Sequence, residues 1–306
     1  MTNTGIPTGD ALRHAILGAG GVGLALGASL AKSGQPVVLV MTDSSYDRYS
    51  GEITVRGGLR DDYKVPVEAV RQLCESVDVL WVTVKAPALT SALERIVPGA
   101  DATSVVPLLN GIGHLDTLRA RFGPCLLPGT IRIEAVRSAP GEVTWNSLFA
   151  SVELASEKSA DDPRLPPLRD ELERAGIGCQ FGDSPPDVLW RKLIILLPLA
   201  LATTAADGPL GVVRRDPELL ALMHAVVPEL CAVAAAQGVA VDAAASRRTL
   251  DSFPGRTDSS LHRDVAGGRP TELTALTEPV LRIGAASNIA TPSISRLTQH
   301  ARDACG

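Results

Sequence analysis

Residues 14–23 read HAILGAGGVG, a short apolar run that ends in the GxGxxG pattern Gly18-Ala19-Gly20-Gly21-Val22-Gly23. In a chain with 28 glycines the pattern alone says little, and its flanks give it meaning. Ala15 to Leu17 reads as a strand, Gly21 to Lys32 as a helix and Val37 to Met41 as a second strand, which together make a βαβ unit. In that setting the first glycine makes the tight turn, the second lets a pyrophosphate approach the backbone, and the third lets helix and strand pack closely. The helix N-terminus then faces the phosphates. Gly18, Gly20, Gly21, Val22 and Gly23 are therefore expected to bind a dinucleotide, the plain alternative being a tight turn without a ligand.

The alternation continues outward from this unit. A hairpin is expected around Ile53 to Val55, a helix near Glu68 to Cys74, a strand at Val79 to Val84, a helix at Ala88 to Ile96 and a strand at Ser104 to Leu109. Such alternation predicts a parallel sheet. Gly129 to Val136 and Glu142 to Trp145 read as antiparallel strands at one edge, followed by a helix at Pro166 to Ala175 and a strand at Gly178 to Phe181. From Asp187 on the pattern is helical: Asp187 to Thr204, Asp216 to Gln237, Asp242 to Leu250 and Thr271 to Ser287, with a polar loop at Phe253 to Arg269. The fold class is α/β: a flexible N-terminus (1–13), a Rossmann-type domain (14–182) and an all-α domain (183–306) that carries substrate contacts and can dimerise, with the active cleft between the two domains.

Composition narrows the function. The 306 residues suffice for two domains. With 29 basic against 34 acidic residues the net charge is −5, which lacks the basic footprint of a nucleic-acid binder. Aromatics make up only 3%, so packing relies on aliphatic side chains. The five cysteines are odd in number and widely spaced, and form no metal box; no metal is expected and a reducing cytoplasm fits best. The longest apolar stretch, Leu193 to Ala206, contains Pro198 and falls short of the roughly 20 residues of a membrane span.

At the adenosine end the sequence pulls two ways. Asp43, 25 residues after Gly18, is placed to bind the ribose 2′-hydroxyl of NAD, while Arg48 could pair with the 2′-phosphate of NADP. Thr42 precedes them, and a solvated acidic turn is the plain reading. A carbonyl reduced by hydride also needs a positioned acid. Lys192, in Trp190-Arg191-Lys192-Leu193 at the start of an apolar helix, is the candidate, against the alternative of a snorkelling helix-end lysine.

The chain resembles the ketopantoate reductase (2-dehydropantoate 2-reductase) family from Ile16 to about Leu297. The matching pieces are the glycine turn, Val82-Thr83-Val84-Lys85-Ala86, Leu109-Asn110-Gly111, Trp190-Arg191-Lys192-Leu193, and Ser259-Ser260 with Asp264 and Gly268-Arg269-Pro270-Thr271-Glu272. The resemblance implies NADP as cofactor, Lys192 as general acid, Glu272 as its electrostatic support and Asn110 as the group orienting lysine and nicotinamide. It also implies that Lys85 lies along the cofactor and Ser260 contacts the substrate carboxylate. Singly, each residue has a bland reading: a first-turn helix carboxylate, a turn, a strand-end charge, a loop hydroxyl.

The departures bear on substrate. Where the family usually carries asparagines four and eight residues after the lysine, this chain has Leu196 and Ala200, an apolar wall beside the acid that cannot hydrogen-bond a pantoate-like hydroxyl. His262 is a further unusual residue, either a second acid or substrate contact or a loop histidine. The reading is an NAD(P)H-dependent reductase of a 2-oxo acid or related ketone with an apolar pocket. The alternatives are a biosynthetic imine reductase on an imino substrate and a non-catalytic dinucleotide sensor.

Overall fold

In a computed structural model, which describes residues 11–58, 61–159 and 161–305, the strand that leads into the glycine turn is fully buried. The expected flexible N-terminus lies mostly outside these residues. In chain order the first half carries β1 (His14–Leu17), α1 (Gly21–Lys32), β2 (Val37–Val40), α2 (Asp43–Tyr46), β3 (Glu52–Gly57), β4 (Tyr63–Pro66), β5 (Glu68–Val70), β6 (Val77–Val82), α3 (Leu89–Leu93), β7 (Ala102–Pro107) and α4 (His114–Phe122). Then follow β8 (Gly129–Arg132), β9 (Ala135–Ala139), β10 (Glu142–Trp145), β11 (Ser151–Leu154), α5 (Leu165–Arg174) and β12 (Gly178–Phe181).

The parallel sheet has the order β5-β2-β1-β6-β7. Ile16 sits between Leu39 and Trp81 in register, and strands covered on both faces need no polar alternation, which explains the continuous apolar run of β1. The chain leaves β1 for β2 on one side and returns to β6 on the other, so the glycine turn stands at the point where strand order reverses, the usual ligand-binding crevice of such sheets.

Three expectations are corrected here. Glu68–Val70 is not helical but an edge strand pairing with β2, because seven residues make too short a helix to persist alone while β2 offers a ladder to complete. The helix expected at Ala88 to Ile96 shrinks to Leu89–Leu93, since Ile96 leaves to bridge Leu73. The antiparallel strands do not edge the parallel sheet. β9 and β10 join β3 and β4, and β8 joins β11 and β12, in two separate small sheets.

Beneath these sheets lies a buried polar link. Trp81 Nε1 donates to His14 Nδ1 at 3.1 Å, so the imidazole hydrogen sits on Nε2, 2.6 Å from Glu171 Oε2, and one neutral tautomer ties β1, β6 and α5 together. A second knot holds the start of α5. Asp162 accepts from Ser156 Oγ at 2.6 Å and Arg164 NH2 at 2.7 Å, and Arg164 reaches on to the Thr103 and Pro124 carbonyls.

The described residues divide into two units, one running to Leu109 and again from Asp116 to Pro185, the other comprising Asn110–Leu115 and the chain from Pro186. The excursion Asn110–Leu115 was not foreseen in a boundary placed at 182. Ile112 packs on the helical core, and Gly113 comes so close to Pro279 that a Cβ there would lie 2.7 Å from its Cγ. The helical unit holds α6 (Pro185–Ala205), α7 (Leu210–Val213), α8 (Pro217–Ala235), α9 (Ala243–Ser252), α10 (Ser260–Ala266), α11 (Leu273–Ala286) and α12 (Pro292–Asp303). Of these, α7, α10 and α12 were not anticipated. At 21 and 19 residues α6 and α8 match a membrane span in length and hydropathy. Trp190, Leu193, Leu197 and Leu201 of α6 nevertheless pack into the helical core with Met223 and Leu230 of α8.

Arg164 holds the Asp162 carboxyl well below the usual carboxylate range, chiefly through the side-chain hydrogen bond. A depressed folded value stabilises the protein above the ordinary carboxyl range, and that contribution drains away as pH falls below about 4. Asp162→Asn is thus expected to lower unfolding free energy by about 1–3 kcal/mol at pH 7, with a smaller gap from wild type at pH 3. Urea titrations at the two pH values measure both, and an equal gap at each would contradict the assignment.

Candidate functional site

The expected site residues fall into two sets, one in each unit. In the first, each glycine of the turn meets a different constraint. Gly18 has φ +108°, a conformation L side chains rarely adopt, and its backbone lies against Val84. A Cβ on Gly23 would stand 2.0 Å from the Gly18 carbonyl oxygen, and one on Gly21 would stand 2.2 Å from the Ala135 carbonyl of β9. Gly20 differs: nothing lies within 4 Å of where its Cβ would point. Open space beside the backbone there, at a helix start whose first N–H groups have no intrahelical acceptor, fits a pyrophosphate.

Sequence reasoning overlooked Thr83 as a functional residue although it stands inside a quoted motif. Its hydroxyl donates to the Gly18 carbonyl at 2.7 Å and so fixes the turn from the end of β6. Lys85 follows two residues later, at the start of the turn Ala86–Ala88. A threonine after a strand carries no signal until the neighbouring strand order is known.

At the end of β2, Thr42, Asp43 and Arg48 are each engaged by neighbouring groups. Thr42 Oγ1 donates to Ser45 Oγ at 3.0 Å, and Arg48 Nε is bound to the Ser44 carbonyl at 2.9 Å. Asp43 Oδ1 accepts from Arg95 NH1 at 3.2 Å and lies 3.6 Å from Arg71 NH1. Arg95 foremost, with Arg71, lowers the Asp43 carboxyl below its ordinary range. Arg71 also pairs with Asp47 and lies 4.5 Å over the Tyr46 ring, and Arg137 of β9 reaches Ser45 Oγ at 3.3 Å. The guanidinium groups of Arg71 and Arg95 therefore hold Asp43 and Asp47, while those of Arg48 and Arg137 bind Ser44 and Ser45 beside them. Arg71, Arg95 and Arg137 make these contacts across 24 to 92 residues, a convergence no local pattern displays.

In the helical unit Lys192 Nζ donates to Asn110 Oδ1 at 2.9 Å, and Asn110 Nδ2 faces Glu272 Oε2 at 3.5 Å. Lysine can only donate and a carboxylate chiefly accepts, so the amide orientation is dictated from both sides. Lys192 is half-buried and Glu272 buried. Gly111, at φ +83°, turns the chain against α11 directly after Asn110. In the loop preceding Glu272, Arg269 Nε donates to Asp264 Oδ1 at 3.0 Å.

Leu196 is half-buried on the Lys192 side of α6, but Ala200 is only 3% exposed and belongs to the core. The apolar surface following the lysine is thus Leu196 with Leu199, four and seven residues on, rather than Leu196 with Ala200. Ser260 is exposed at the first position of α10. His262 is held in place, its Nδ1 2.8 Å from Asp258 Oδ1 and its Nε2 3.3 Å from Asp207 Oδ1, instead of standing as a free loop residue.

Comparison with known proteins identifies the family to which the chain belongs. The family model described as ketopantoate reductase PanE/ApbA matches residues 14–156, and its C-terminal counterpart matches 187–304. A 2-dehydropantoate 2-reductase of Mesorhizobium japonicum is 27% identical, covering 92% of this chain and 94% of the relative. That of Pyrococcus abyssi is 24% identical over 90% and 92%. Among solved structures, a 2-dehydropantoate 2-reductase from Geobacter metallireducens GS-15 has a TM-score of 0.85 at 25% identity, covering 96% of this chain and all of that one. D-mandelate dehydrogenase with NADH and anilino(oxo)acetate shares the fold at a TM-score of 0.86 and 22% identity, covering 96% and 98%.

The glycine geometry makes a stability prediction. Gly23→Ala forces a Cβ onto a backbone oxygen and is expected to cost about 2–3 kcal/mol, whereas Gly20→Ala, facing open space, should cost less than about 1 kcal/mol. Thermal unfolding of the two variants measures the difference, and the reverse order would refute it.

Proposed function

The chain belongs to the ketopantoate reductase family and is thereby an NAD(P)-dependent oxidoreductase acting on CH–OH, and from that premise we propose that it is a cytoplasmic reductase of 2-oxo acids with bulky apolar side chains, using NADPH. The observation that carries the reading is the hydrogen-bonded chain from Lys192 through Asn110 to Glu272.

A reduced nicotinamide supplies the hydride. Lys192 holds a proton at Nζ for the carbonyl oxygen, so that the hydroxyl of the product forms without a free alkoxide. Asn110 fixes that ammonium by taking one of its hydrogens on Oδ1, and Glu272 fixes Asn110 in turn. Positioning of this kind converts a flexible side chain into a directed acid. Ser260 offers a hydroxyl to the substrate carboxylate, and Lys85 and the glycine turn serve the cofactor. Leu196 and Leu199 offer no donor or acceptor beside the lysine, which favours an apolar substituent over a hydroxylated one.

At the adenosine end, Asp43 already faces two guanidinium groups, which argues against its serving as the ribose 2′-hydroxyl acceptor that selects NAD. Arg71 and Arg95 suit a 2′-phosphate, with charge-assisted and bidentate geometry available. Arg95→Ala is accordingly expected to raise the NADPH Kd by about 10–100-fold and change that for NADH by less than about 3-fold, as removal of a charged contact of roughly 1.5–3 kcal/mol requires. Nicotinamide fluorescence titrations with both cofactors decide it, and an equal loss for each would overturn the phosphate assignment.

Turnover tests the acid. Lys192→Ala should reduce kcat by about 10²–10⁴-fold while leaving NADPH binding intact. Following nicotinamide oxidation at 340 nm, branched and aryl 2-oxo acids should outperform ketopantoate. Cyclic imines serve as the control: an enzyme that reduces imines alone would sink the keto-acid reading. The proposal includes a homodimer through the helical unit, and light scattering that returns a monomer mass would remove that part.

A further inference from the structure

Thr203 stands eleven residues after Lys192 on α6, which at 100° per residue returns it to nearly the same side of the helix, three turns away. It is fully buried, and its hydroxyl lies 2.8 Å from the Leu199 carbonyl, 3.3 Å from the Ala200 carbonyl and 2.7 Å from Ser259 Oγ. Ser259 Oγ in turn accepts from His262 N at 3.0 Å as the cap of α10. Every contact is satisfied when Ser259 gives its hydroxyl hydrogen to Thr203 and Thr203 gives its own to the helix carbonyl.

A second link runs parallel to the first. Asp207, just past the end of α6, is a non-glycine residue at φ +44°, a costly conformation for any L residue and one that Asp tolerates better than most. Its carboxylate faces His262 Nε2, while His262 Nδ1 faces Asp258, whose Oδ1 also accepts from Ser259 N at 2.7 Å. The two links tie the end of the Lys192 helix to both sides of Ser260, which itself stays exposed.

We propose that Thr203 and His262 are positioning residues that set Ser260, and with it the substrate carboxylate, at a fixed distance along α6 from Lys192. This rests on the reading that Ser260 meets that carboxylate. The links also contribute to stability, since Ser259 caps α10 and the buried Thr203 and Ser259 hydroxyls satisfy each other. What the links supply is a rigid spacing between an acid and an anion-binding hydroxyl, which a two-point attached 2-oxo acid needs and a simple ketone does not.

The test compares a 2-oxo acid with the ketone in which a methyl group replaces its carboxyl group. Thr203→Val removes the hydroxyl and keeps the branched volume. It should raise KM for the acid by about 10–100-fold, leave kcat within about 3-fold and leave ketone kinetics unchanged, so that preference for the acid collapses. Thr203→Ser should restore the preference. His262→Gln, which breaks only the outer link, should give the same split at smaller size and guards against misfolding of the core variant. If Thr203→Val and His262→Gln keep the acid-to-ketone ratio of wild type, or lose both substrates equally, the positioning role is overturned while the reductase reading stands. If wild type reduces neither compound and Lys192→Ala changes nothing, the reductase reading itself has failed and this inference falls with it.

Discussion

The hydrogen bond from Lys192 to Asn110 is the contact on which the proposed chemistry depends, because it joins residues 82 positions apart and requires a detour of the chain. After β7 the backbone leaves the parallel-sheet unit, and Asn110–Leu115 packs with the helices before α4 continues the first unit. Gly111 and Gly113 make that detour fit, one by a positive φ, the other by lacking a Cβ where Pro279 stands. The detour exposes no unsatisfied acid. It delivers an amide whose two ends match an ammonium and a carboxylate, so Lys192 acquires one defined position without the burial cost of an isolated charge.

The glycine turn obeys a comparable economy of space. Gly18, Gly21 and Gly23 are each required by a neighbouring backbone or by φ, whereas Gly20 faces open space. Three glycines thus answer to the fold, and Gly20 alone leaves open space beside the turn. Thr83 completes the turn by donating to the carbonyl that Gly23 approaches, so a residue from the next strand of the sheet stabilises a motif read from the first.

Much of this was legible in the sequence, for identifiable reasons. The strand-turn-helix around Gly18, the helix bearing Lys192 and the site group Asn110, Lys192 and Glu272 follow from periodicity, turn chemistry and family resemblance, each a property of short segments or their order. What escaped was long-range. Arg71 and Arg95 reach Asp43 only once β5 pairs with β2, and the sequence at Glu68–Val70 suggested a helix. α12 owes its start to Glu229, whose carboxylate accepts from Ser293 N and Ile294 N at 2.8 and 2.9 Å from a helix 64 residues earlier. Ala200 shares the spacing expected of a pocket residue, but spacing fixes only the helix side. Whether that side meets solvent or core is decided by the neighbouring helices.

That distinction governs specificity. Substituting Leu for a polar residue at position 196 removes a hydrogen-bonding partner from a half-buried surface beside the acid, whereas the same exchange at 200 would act on packing, since Ala200 is almost wholly enclosed. Hydrogen-bonding sites discriminate steeply because the wrong ligand strands a buried polar group, while apolar surfaces discriminate by volume and only by roughly 10–200-fold per methylene. Under the proposed function, a surface edged by Leu196 and Leu199 trades recognition of one hydroxyl for tolerance of several apolar groups. Under that reading selectivity comes from the polar end of the substrate, and the links through Thr203 and His262 hold the segment bearing Ser260.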